Sequence, residues 1–88
     1  MAATMEDIKR WIARGRANKQ SFLIVMCDTY DFDDYPVFVE GDEEDCQQEY
    51  TTRSRGGNMQ TVMEVYDLRD GIDVQLKQHR AFPPWLVR

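Results

Sequence analysis

The stretch that decides the fold is Phe22-Leu23-Ile24-Val25-Met26-Cys27, followed by Asp28-Thr29-Tyr30-Asp31-Phe32-Asp33-Asp34 and then Tyr35-Pro36-Val37-Phe38-Val39. Six consecutive apolar residues without alternation predict a strand covered on both faces, and the aspartates after them predict a turn at its exposed end. Tyr35 to Glu40 returns as a second strand, so the two form an antiparallel hairpin. Pro36 has no amide hydrogen to give to a ladder, which puts this second strand at an edge or makes Pro36 its beginning. Its side chains alternate, with Tyr35, Val37 and Val39 on one face and Pro36, Phe38 and Glu40 on the other.

On the N-terminal side, Thr4 is suited to cap a helix, and Glu6 and Asp7 place carboxylates in its first turn, where the helix dipole favours them. Met5, Ile8 and Ile12 recur at helical spacing, and Trp11 widens the stripe. A helix from about Met5 to Arg14 follows, with Gly15 as the residue just beyond its end. Lys9, Arg10 and Arg14 lie towards that end, which accounts for the basic cluster without a ligand.

Beyond the hairpin, Gly41 breaks the strand and Asp42-Glu43-Glu44-Asp45 opens a helix from about Glu43 to Thr51, with Cys46 and Tyr50 facing the core. Arg53 to Asn58 is a loop. Met59 to Leu68 reads as a third strand, with Thr61, Met63 and Val65 on one face and Val62, Tyr66 and Leu68 on the other, Glu64 interrupting the second. Asp70-Gly71 turns the chain into a last helix from about Ile72 to Ala81. Two prolines keep Phe82 to Val87 extended, folded back on the core or free. The order α-β-β-α-β-α, without repeats or a dividing linker, predicts a single α+β domain whose three-stranded, largely antiparallel sheet is packed with helices.

With 42% apolar and 31% charged residues in 88, the chain has the composition of a folded domain with a small core. The longest apolar run is far short of the roughly 20 residues that cross a bilayer, and the start lacks a basic and apolar leader, so a cytoplasmic protein without membrane attachment is expected. Between Lys9 and Lys19 there are five basic residues and no acidic one, and from Gln20 through Thr52 ten acidic residues and no lysine or arginine. A net charge of −5 disfavours direct binding of nucleic acid, because each phosphate contact needs a cation.

No nucleotide or prosthetic-group motif is present, and no cofactor is expected. Asp28, Asp31 and Asp33 with His79 form the alternative, a divalent-metal or small-ligand site with a hydrolytic role. The aspartates depart from the calcium-loop pattern, lacking its glycine and its final glutamate. His79 with Asp28 or Glu64 is a candidate acid–base pair and Cys27 a candidate nucleophile, against which stands the apolar run that would pack the thiol. Cys27 and Cys46 match neither a redox nor a zinc spacing and read as reduced thiols. The Arg53 to Asn58 loop is basic and glycine-containing, but it lacks the phosphate-loop sequence.

The surface with the clearest chemistry is Tyr30, Asp31, Phe32, Asp33, Asp34 and Tyr35. Aromatic anchors among carboxylates have the make-up of a protein-binding patch, while their alternative is a place in the hairpin's own core. Val25 to Asp31, Asp34 to Val37, Asn58 to Tyr66 and Gln78 to Phe82 resemble a family of small uncharacterised proteins carried by phages and bacterial genomes. That resemblance implies a compact accessory protein of a mobile element and carries over no activity or site residues.

The expected function is therefore non-enzymatic: binding of a larger protein through the Asp/aromatic hairpin. A sharper form has the acidic stretch mimic nucleic-acid phosphates in a basic groove, and a variant has two copies pair through an exposed strand edge.

Overall fold

The computed structural model describes residues 3–55, 59–78 and 80–86. The elements are α1 (Met5–Ala17), β1 (Phe22–Asp28), β2 (Asp33–Val39), α2 (Glu43–Ser54), β3 (Gln60–Asp67) and α3 (Ile72–Lys77). The three strands form one antiparallel sheet in the order β2-β1-β3, an α+β fold. The apolar run thus occupies the central strand. Its residues sort by parity, Leu23 and Val25 into one core and Phe22, Ile24 and Met26 into the other, all at most 1% exposed.

Against the first face pack Ile8, Trp11 and Ile12 of α1, with Ile72 and Leu76 of α3 at its margin. The second face carries Cys46 and Tyr50 of α2 and, from the C-terminal segment, Phe82, Trp85 and Leu86. That segment is folded back, with the Trp85 ring edge-on to Phe22 at 5.4 Å. To reach the second face the chain rounds the outer edge of β3, where the Ala81 carbonyl accepts from the Val65 amide at 2.8 Å.

Several sequence-based boundaries are corrected. Helix α1 runs through Gly15 to Ala17 and is closed by the Asn18 amide on the Arg14 carbonyl; within it the missing Cβ at Gly15 lets Phe38 and Leu68 approach, for a Cβ there would lie 2.8 Å from each side chain. Helix α2 extends past Thr51 to Ser54, held by a 2.6 Å pair between Arg53 and Glu49 one turn apart. Its start needs Gly41 at φ +119°, directly against the Asp45 carboxylate that closes the Asp42/Asp45 capping box. Helix α3 ends at Lys77 rather than Ala81, for Gln78 is already extended and Ala81 is committed to Val65.

The alternation read for β3 also fails at one point. Val25 pairs with Glu64 but Met26 with Val62, leaving Met63 as an extra residue. This bulge exchanges the faces of its neighbours: Val62 joins Val65 in the second core, and Met63 packs against the first, with Tyr66 and Leu68. β2 is an edge strand, as Pro36 requires. No helix among the described residues is long and apolar enough to cross a membrane.

Candidate interaction surface

Asp28 and Asp33 are opposed at the last register position of β1 and β2, so the hairpin closes through Thr29, Tyr30, Asp31 and Phe32. The loop is held by its own polar groups. The Phe32 amide donates to the Asp28 carbonyl at 2.7 Å, Asp28 Oδ1 accepts from the Tyr30 amide at 2.8 Å, and Asp31 Oδ1 accepts from the Asp33 amide at 3.2 Å. Aspartate favours such turns because its short carboxylate reaches amides two residues on. Closing the loop places Phe32 at φ +60°, a left-handed conformation that costs a non-glycine residue about 1–2 kcal/mol.

The six residues predicted as a patch separate here into two groups. Tyr30 is 76% and Phe32 68% exposed, with Asp31 exposed between them; Asp33 is exposed at the start of β2. Asp34 and Tyr35 instead tie the fold together. Asp34 Oδ2 accepts from the Ala3 amide at 2.9 Å, fastening the lead into α1 to β2. The Tyr35 hydroxyl donates to Gln60 Oε1 at 2.6 Å, its ring against the second core. Sequence reasoning missed a neighbour: the Thr29 amide donates to the Met59 carbonyl at 2.7 Å, which brings Met59, 54% exposed, to the same end of the sheet. Its hydrophobicity beside the glycine-containing loop was the available signal.

Nothing among the described residues gathers three His, Cys, Asp or Glu side chains into a metal-holding group, and His79 lies outside the described residues, as do Gly56, Gly57 and Asn58 of the predicted basic loop. Asp28 and Asp31 spend an oxygen each on the turn. Cys27 is 9% exposed and its thiol is pushed up by burial and by the neighbouring Asp34 carboxylate, the reverse of what a nucleophile needs. Cys46, fully buried, is pushed up to about 12, chiefly by burial and then by the Asp67 charge. Glu64 accepts from the buried Tyr66 hydroxyl at 2.7 Å and serves the core.

Comparison of the chain with protein-family models, curated proteins and solved structures finds no match. The site itself therefore carries the functional reading.

The remaining acidic side chains lie apart from the tip. Asp42 and Asp45 close the α2 capping box, while Glu40, Asp45 and Glu49 line an open polar groove beside β2 and α2. Of the basic residues, Arg16 donates to the Leu68 and Asp70 carbonyls at 3.2 and 2.9 Å, and Arg14 lies 5.3 Å over the Phe38 ring. These arginines brace the fold.

Proposed function

We infer that this is a non-enzymatic binding protein whose contact element is the hairpin tip Tyr30-Asp31-Phe32, with Met59 beside it and Asp28 and Asp33 at its base. The observation that carries the reading is the exposure of Phe32 in a left-handed conformation. A loop selected only for turning would hold glycine or asparagine there, and one selected for packing would bury the ring. Strain kept at an exposed aromatic supports a role outside the fold, and tyrosine and phenylalanine are preferred anchors of protein interfaces.

The partner is a protein presenting apolar pockets rimmed by lysine or arginine, matched to the tip's two rings and surrounding carboxylates. In the phage setting that the family resemblance implies, the chain is a small accessory factor acting on a host or phage protein in the cytoplasm. A basic nucleic-acid-binding groove is the sharpest such target.

The test is capture of proteins from a lysate by tagged wild type and by a Tyr30→Ser/Phe32→Ser variant, washed at increasing salt. The expected result is a stoichiometric partner that the variant loses while remaining folded. A partner kept equally by both forms contradicts the tip reading. Release steepening with salt marks a target groove that otherwise holds phosphates.

A further inference from the structure

Helices α1 and α3 lean on the same sheet face without closing against each other. Between them run two adjoining open depressions of about 270 and 320 Å³ that share Lys9, Asp73 and Leu76. The floor is apolar, made by Ile12, Ala13, Ile72 and Leu76. Met5, 46% exposed, lies at one end. Among the described residues, Lys9, Lys77 and Arg16, the last with its guanidinium on the Leu68 and Asp70 carbonyls, line the groove against a single carboxylate, Asp73. An apolar trough with a net positive rim is the complement of the hairpin tip, two exposed rings flanking a carboxylate, in the same chain.

We propose that the α1/α3 groove receives the Tyr30-Asp31-Phe32 tip of a second copy, seating the rings on Ile72, Leu76 and Met5 and the carboxylates near Lys9 and Lys77. This rests on the tip being the contact element, and it names a partner: the protein masks its own tip until a tighter target displaces the copy. A C2 pair engages both tips at once. Four aromatic side chains, at roughly 150–250 Å² each when fully buried, together with a similar area of the grooves that cover them, give that pair at most a standard-sized interface. This contact uses no strand edge. Pro36 and the carboxylates of Asp33 and Asp34 make β2 a poor pairing partner, and at the C-terminal end of β3 Val65 and Asp67 are already paired with Ala81 and Gln75.

The test isolates one tip and one groove. A ¹⁵N-labelled Tyr30→Ser/Phe32→Ser variant, whose groove is intact, is titrated with an unlabelled Lys9→Glu/Lys77→Glu variant, whose tip is intact. The expected result is saturable shifts confined to amides of Met5, Lys9, Ile12, Ala13, Leu76 and Lys77. They should weaken severalfold as salt is raised, and vanish when the unlabelled chain also carries the tip substitutions. Still groove amides up to millimolar concentration, or shifts gathered elsewhere, overturn the proposal. If they stay still while the tip substitutions nonetheless abolish capture of a lysate partner, self-docking fails and the tip reading stands.

Discussion

Gln75 completes the outer edge of β3 by pairing with Asp67 as a strand would. Its Oε1 accepts from the Asp67 amide at 2.7 Å and its Nε2 donates to the Asp67 carbonyl at 2.9 Å, with a further bond to the Gly71 carbonyl at 3.0 Å. One side chain thus ties α3 to the sheet and covers the last position of the β3 edge. Gln75→Ala should cost about 1–2 kcal/mol, since three backbone groups lose their partners where water has partial access. Urea unfolding measures the loss, and hydrogen exchange should quicken most at Asp67.

Gly15→Ala weighs two opposed effects. Alanine favours a helix interior over glycine by about 1 kcal/mol, but its methyl would meet Leu68 and the Phe38 ring at 2.8 Å, and overpacking costs about 1–3 kcal/mol. Packing should win, because the ring is stiff and Arg14 lies over it. Thermal unfolding should show a fall of several degrees, and Gly15→Ala with Phe38→Leu should recover part of it.

Asp67 and Arg69 set an acid dependence. Burial pushes the Asp67 carboxyl up, yet the Arg69 side chain at 2.8 and 3.0 Å, its amide and its charge together hold it below the ordinary value. A depressed folded-state pKa gives stability that is complete above the unfolded value, about 3.9, and lost as pH falls through the folded one. Arg69→Met leaves the nearly buried carboxylate without its cation; since the Arg69 side chain keeps 41% exposure, the loss at pH 7 should be about 2–3 kcal/mol. Losing the cation raises the Asp67 pKa relative to wild type, with burial opposed only by the residue-69 amide, so the variant's deficit should shrink as pH falls from 7 towards 4. Denaturant midpoints at the two pH values check both signs.

The thiols should be silent in the folded protein. Burial keeps Cys46 protonated up to about pH 12 and raises Cys27 as well. A colorimetric thiol reagent at pH 8 should therefore react with Cys46 only on unfolding and with Cys27 slowly. Rapid labelling of Cys46 in the native state would contradict the packing of α2 on the sheet.

Legibility followed the length scale of each signal. Phe22 to Met26 declared a strand covered on both faces through five residues of unbroken hydrophobicity, and Pro36 declared an edge or a strand start through its missing hydrogen; the order of the three strands was not legible. The Met63 bulge was hidden, since a single extra residue changes parity without changing composition. Gly15 has the same identity whether it ends a helix or admits a neighbour, and only Phe38 and Leu68 decide. At the tip, Tyr30 and Phe32 were legible as candidates, but the aspartates around them divide by geometry: Asp34 serves Ala3, and Asp28 and Asp31 serve the turn.

The most direct measurement is on Phe32→Gly, scored for stability and for capture of a partner in parallel. Glycine relieves the left-handed strain and loses some of that gain to greater freedom of the unfolded chain, so the variant should be more stable by about 0.5–1 kcal/mol. The account predicts a melting temperature raised by a few degrees together with loss of the partner that wild type retains. A variant that melts lower, or that keeps the partner at full stoichiometry, would show that Phe32 serves the fold, or nothing, and would contradict the tip as the contact element.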